Sequence, residues 1–348
     1  MRVLRTTAAL AVATLLASGL AACGGSDGGG SDSPSPTTLT IYSGRSESLI
    51  APLIQQFAEE TGIAVDVRYG NTAQMAAQIL EEGDRSPAHV FLAQDAGALG
   101  AVAKAGLFAP LPNEILDLVP AQYRAANGQW VGVTGRVRVL AYDSQSLTPA
   151  DLPASVFDLT GPEWRGRVGV APTNASFQAF VTAMRVQHGD DRTRQWLADL
   201  SANDPQIREN NVQIVADIDE GRLAVGLVNH YYVFERANEL GVSVDELRVR
   251  LHFFPDGDVG ALVNVSGVGL LASAADNPNA RRFIEYLLSP AGQRYFAEQT
   301  HEYPLIAGVA LDPALPPLED LEAPDIDLND LDTLAETVEM IQQSGLTT

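Results

Sequence analysis

Tyr231 and Tyr232 are adjacent phenols that directly follow Asn229 and His230, where an apolar run over residues 223–228 gives way to the amphipathic pattern of 231–240. That change of period reads as a strand handing over to a helix, with Asn229 as its N-cap. Two residues of a first helical turn can reach one cleft, whereas neighbours on a strand point to opposite faces. Phenolate is a hard oxygen donor suited to a small, highly charged cation such as ferric iron. A bound cation deprotonates a tyrosine that otherwise titrates near pH ~10. An aromatic pair packed beneath a helix has the same signature, so the pair alone leaves both readings open.

A second strand-to-helix turn, Pro172-Thr173-Asn174-Ala175-Ser176, precedes a helix expected over 177–187. Free backbone N–H groups and small side chains at a helix start suit an anion, and helix capping by Asn174 or Ser176 explains the same residues. No phosphate loop, dinucleotide fingerprint, His-Glu-x-x-His helix or nucleophile elbow occurs. The five histidines are scattered. His89 belongs to a strand pattern, and His230 reads as a solvent-facing side chain. No nucleophile, base and orienting acid assemble, which favours a binder over an enzyme.

The elements that must hold these residues alternate between strand and helix. Strands are expected at 39–43, 63–69, 89–93, 168–171 and 223–228; helices at 46–60, 72–82, 96–105, 192–200, 278–288 and 290–299, with another begun by Asn210-Asn211. Such alternation implies α/β architecture with parallel sheets and ligands at the strand carboxyl ends, where residues 43–47 and Gln94-Asp95 fall. Residues 130–142 are long for one lobe's strand and read as a crossing into a second lobe, with 262–271 as the return. A Pro- and Asp-rich tail over 312–332 leads to a final helix near 333–344, expected on the outside.

At the N-terminus, Arg2 and Arg5, an apolar stretch over 8–17, and Leu20-Ala21-Ala22-Cys23 form a leader with a bacterial lipobox. Cleavage before Cys23 would leave that sulfur to carry a lipid, and residues 23–38, rich in Gly, Ser, Asp and Pro, would be a flexible tether. A lone cysteine excludes an intramolecular disulfide. The chain has 22 basic and 44 acidic residues, a net charge of −22, which argues against nucleic acid as a partner.

Several separated segments then resemble one family, the periplasmic ferric-ion-binding proteins. They are Ile41-Tyr42-Ser43-Gly44-Arg45-Ser46-Glu47, residues 82–91, residues 105–111, Pro162-Glu163-Trp164-Arg165-Gly166-Arg167, the Asn-His-Tyr-Tyr stretch, and Glu302-Tyr303-Pro304. The resemblance implies a two-lobed, type II periplasmic-binding-protein fold, with two parallel-rich sheets joined by crossover strands. Residues 39–136 and 265–348 would form lobe I and residues 137–264 lobe II, after a signal peptide at 1–22. By the same resemblance Tyr231 and Tyr232 are metal ligands, Thr173, Asn174 and Ala175 hold an anion, and Asn211 and Asn229 assist. Departures lie in the first lobe. Ser46 stands where some members have histidine, and Gln94 where some have glutamate. Asn174 and Ala175 stand in a turn where other members carry a third tyrosine. Glu47 or Asp95 is left to supply an oxygen, and Arg45, Arg136 and Arg138 to hold an anion or to pair with acids.

The implied function is a monomeric receptor, lipid-anchored through Cys23 on the outer face of the cytoplasmic membrane. It would bind Fe(III) with a synergistic carbonate or phosphate and deliver it to an ABC permease. The alternative within the fold is a metal-free receptor for a small organic anion such as a phosphonate.

Overall fold

The computed structural model describes residues 38–347, so the leader, Cys23 and nearly all of the expected tether lie outside the described residues. Strand β1 (Leu39–Ser43) lies between β2 (Val65–Tyr69) and β3 (Val90–Ala93), parallel to both. Helix α1 (Glu47–Thr61) buries Ile50, Leu53, Ile54 and Phe57 on one stripe and stops at Gly62, whose φ of 70° suits a residue without Cβ. Helices α2 (Thr72–Glu82) and α3 (Ala96–Lys104) follow, then the short α4 (Asn113–Leu116).

Strand β4 (Val131–Asp143) is buried along its whole length, as a strand covered on both faces must be. Beyond it come β5 (Val168–Val170), α5 (Ala175–His188), α6 (Asp190–Ala202), β6 (Gln206–Ile207), α7 (Asn211–Asp219), β7 (Val225–Asn229) and α8 (Tyr231–Leu240). The chain continues through β8 (Val249–His252), β9 (Val263–Leu270), α9 (Pro278–Leu287), α10 (Pro290–Gln299), β10 (Tyr303–Pro304) and α11 (Leu334–Gln343).

The hydrogen-bonded path runs β2-β1-β3-β9-β4-β7-β5-β6, with β10 and β8 also paired to β4. Two parallel groups, β2-β1-β3 and β7-β5-β6, are thus linked through antiparallel β9 and β4. On β4, Arg136 and Val137 oppose Asn264 and Val263 of β9, whereas Arg138 opposes Asn229 of β7. The strand changes partner between Val137 and Arg138.

Two expectations are corrected here. Asn229 is the last residue of β7 and not an N-cap: the ladder opposite Arg138 holds it in strand geometry, and His230 takes the cap position without a side-chain cap bond. Helix α5 starts at Ala175, two residues early, because Asn174 caps it by accepting from the backbone N–H of Ser176.

The tail is attached to two helices, α3 and α5, among other contacts. A short 3-10 turn, Leu328–Asp332, lies on α3, where a Cβ added to Gly97 would stand 2.5 Å from the Leu331 carbonyl oxygen. Two residues on, Arg185 of α5 donates through Nη1 to the Thr333 carbonyl at 2.9 Å. The Thr182 and Thr337 hydroxyls then meet at 2.8 Å, which seats α11 on α5. No helix among the described residues is long and apolar enough to cross a membrane.

Candidate metal and anion site

The turn from β7 into α8 sets Tyr231, 1% exposed, and the half-buried Tyr232 side by side, with ring centroids 4.2 Å apart. The Tyr231 hydroxyl is buried without a hydrogen-bond partner. Burial pushes its pKa well up and Tyr232 adds to this, while Arg136 and Arg45 oppose it. The free phenol therefore keeps its proton, and only a strong local cation makes it a phenolate.

His230 behind the pair is fully buried, which corrects the expected solvent-facing side chain. Its Nδ1 accepts from the Val137 N–H at 3.2 Å. That fixes the proton on Nε2, which donates to the His301 carbonyl at 2.8 Å. Burial lowers the pKa of this neutral ring to about 4. Both nitrogens serve backbone groups, so the ring has no reason to face water.

Three arginines converge on the phenols. Arg45, in the turn between β1 and α1, donates through Nη2 to Glu302 Oε2 at 2.7 Å. Arg136 Nε lies 3.8 Å from Glu302 Oε1. Arg138 donates from Nη1 to Ser176 Oγ at 3.1 Å and from Nη2 to the Leu227 carbonyl at 2.7 Å, its guanidinium against the rings of both Phe177 and Phe180. Burial lowers the Arg138 pKa to about 9, still charged at neutral pH, with Tyr232 and Tyr231 pulling it back up. Tyr231 and Tyr232 also bear on Arg45. Phenols and guanidinium groups therefore form one electrostatic unit. Arg45 Nε, Arg136 Nε and Nη1, and Arg138 Nε are buried without hydrogen-bond acceptors. Unpaired buried donors of this kind are costly, and an anionic ligand among them relieves the cost.

The turn over residues 172–176 is organised around Ser176. Its Oγ donates to Asn174 Oδ1 at 2.7 Å and accepts from Asn211 Nδ2 and Arg138 Nη1, each at 3.1 Å. Ala175 is buried and Thr173 exposed; Asn211 is 0% and Asn229 5% exposed.

Ser46 and Glu47 are exposed at the start of α1, without a side-chain cap bond from Ser46. Asp95 is the N-cap of α3, its Oδ1 accepting from the Ala98 N–H at 2.9 Å. Burial raises its pKa, with Arg136 among the groups that lower it. Gln94 is half-buried and donates its backbone N–H to Thr72 Oγ1 at 3.2 Å. Among the described residues, no three His, Cys, Asp or Glu side chains gather as a metal site.

Residue types alone marked neither Glu302 nor the depth of Arg138 as site features, and Ser176 was legible only as part of the small-residue turn. One signal was available. Arg136 and Arg138 stand at period two inside an apolar strand, and buried arginines require partners.

The family of bacterial extracellular solute-binding proteins matches residues 86–329. The chain is 35% identical to the Fe(3+)-binding periplasmic protein of Serratia marcescens, covering 88% of this chain and 90% of that one. It is 36% identical to iron uptake protein A2 of Synechocystis, covering 80% and 81%. Iron-bound HitA from Pseudomonas aeruginosa superposes with a TM-score of 0.84 at 38% identity, covering 89% of this chain and all of that one. Trichodesmium IdiA (FutA), solved with iron and citrate ligands, gives 0.76 at 26% identity, covering 89% of this chain and 100% of that one. The sheet order, the buried tyrosine at the start of α8 and these likenesses converge: the chain belongs to the bacterial extracellular solute-binding proteins and, among them, to the periplasmic ferric-ion-binding proteins of the type II fold.

Proposed function

We propose that this protein is an extracytoplasmic receptor that captures ferric iron with a synergistic anion, carbonate or phosphate, and delivers the iron to an ABC permease. One observation carries the reading: the Tyr231 hydroxyl is buried, unpartnered, and flanked by Tyr232 and by arginines. A trivalent ion would turn both phenols into phenolates. Three guanidinium groups and that ion against two phenolates and Glu302 leave surplus positive charge, which an oxyanion at Asn174, Ala175, Asn211 and Asn229 offsets. Thr173 would add its part from the rim of the turn. Glu47 or Asp95 remains the first-lobe oxygen we assign to the ion, with Ser46 and Gln94 near the cleft mouth.

Lobe I would comprise 39–136 and 265–348, and lobe II 137–264; the change of partner along β4 supports the boundary, and the seat of α11 on α5 adds a tie between them. Arg45 on one lobe and the tyrosines on the other reach one ligand only when the cleft is shut. Binding therefore selects the closed form for the permease. The iron and its anion are released chemically unchanged in this cycle, so no enzymatic role is assigned. A monomer tethered by a lipid on Cys23 completes the reading.

Titration of the purified protein with a ferric salt tests it. Phenolate bound to ferric iron absorbs in the visible, so colour is expected with iron and none with a phosphonate alone. A protein that stays colourless with ferric salts overturns the iron assignment.

A further inference from the structure

The hydrogen bonds around Ser176 leave only one orientation for the Asn211 amide. A serine hydroxyl has one proton to donate and two lone pairs to accept with. Asn174 Oδ1 is identified as oxygen because it accepts from the Ser176 N–H at 3.0 Å, so the Ser176 hydroxyl proton must go to it at 2.7 Å. Arg138 Nη1 and Asn211 Nδ2 then fill the two lone pairs. Flipping the Asn211 amide would set its oxygen against Ser176 Oγ with no proton between them. Asn211 Oδ1 is thereby turned away from Ser176, and in a fully buried residue it has no hydrogen-bond partner. The unpartnered nitrogens of Arg45, Arg136 and Arg138 are donors, which any oxyanion satisfies, and Glu302 Oε1 already faces Arg136 Nε at 3.8 Å. Asn211 Oδ1 is an acceptor, and an oxyanion without a proton cannot satisfy it.

We propose that Ser176, by locking the Asn211 amide, makes this site select an oxyanion that carries a hydrogen-bond donor over one of equal charge that carries acceptors only. Monohydrogen phosphate, hydrogencarbonate and 2-hydroxy acids belong to the favoured class; sulfate belongs to the rejected one. This rests on the anion subsite of the proposed function and not on the identity of the metal. Ser176 touches the ligand class through Asn211, as a specificity-determining residue.

Calorimetric titration of the iron-free protein at mildly alkaline pH compares phosphate, a dianion with one proton, with sulfate, a dianion with none. A parallel series compares glycolate with acetate, separating an organic from an inorganic source of the donor. Phosphate or glycolate is expected to bind roughly tenfold or more tightly than its acceptor-only counterpart. Ser176→Ala frees the amide to turn and should bring that ratio towards one. Asn211→Ala removes the acceptor altogether and should likewise bring the ratio towards one; it serves if Ser176→Ala does not fold, and an unchanged ratio there also overturns the proposal. Equal affinities in both series, or a ratio unchanged in Ser176→Ala, overturn the proposal. Ferric salt added to each complex keeps the two ideas apart. Colour without anion preference leaves the iron reading standing and this one fallen, and preference without colour does the reverse.

Discussion

Arg45 Nη2 and Glu302 Oε2 lie 2.7 Å apart in an ion pair whose side chains are 2% and 0% exposed. The partners are 257 residues apart in the chain, and Thr300 Oγ1 donates to the same carboxylate oxygen at 2.9 Å. One carboxylate thus balances Arg45, stands beside Arg136, and fixes the cationic wall that faces the phenols.

Removing that carboxylate should cost more than an ordinary substitution. Glu302→Ala leaves two buried guanidinium groups without their counter-charge, and a loss of about 3 kcal/mol is expected. Denaturant unfolding of the iron-free protein measures it. A loss near zero would mean that another group balances Arg45.

Tyr231→Phe should separate stability from function. Its hydroxyl has no partner, so deleting it removes a desolvation cost and should leave stability unchanged or higher by about 1 kcal/mol. The same variant should lose most of the ferric charge-transfer band, and Tyr231→Phe with Tyr232→Phe all of it. Thermal melts beside visible spectra test both halves.

His230 predicts a pH slope. Its pKa, near 6.5 unfolded, is lowered to about 4 in the fold, so between these values the unfolded chain binds a proton that the folded chain refuses. Stability should fall as pH drops through that window, by up to about 3 kcal/mol, and the loss should level off below it. His230→Gln keeps a donor and an acceptor without the titration. The difference between the two proteins' unfolding free energies, followed with pH, should show this slope; parallel curves contradict it.

The tail should be sensitive at Gly97. A Cβ there meets the Leu331 carbonyl at 2.5 Å, a backbone atom that cannot rotate aside. Gly97→Val is expected to cost about 1–3 kcal/mol and to raise hydrogen exchange across residues 328–343. Unchanged exchange there would show that the turn on α3 does not hold the tail.

Local pattern carried much of the fold. The ends of α2 and the amphipathic run of α8 were legible, because apolar period acts over a few residues. Asn229 shows where such reasoning fails. Its preference for caps is local, but pairing with β4 across the sheet overrides it. His230 fails for the same reason: nothing in its neighbours announces that Val137 and His301 supply a backbone partner for each ring nitrogen.

By itself the sequence determined the alternation of strands and helices, the adjacent phenols at a helix start and the small-residue turn at residues 172–176, all features written within one or two turns of chain. Only the tertiary structure decided which charges meet. Glu302 reaches Arg45, and Ser176 reaches both Arg138 and Asn211, through contacts between elements distant in sequence. Burial then gives those contacts their strength, since a guanidinium or a phenol removed from water must take its partner from whatever the fold brings near.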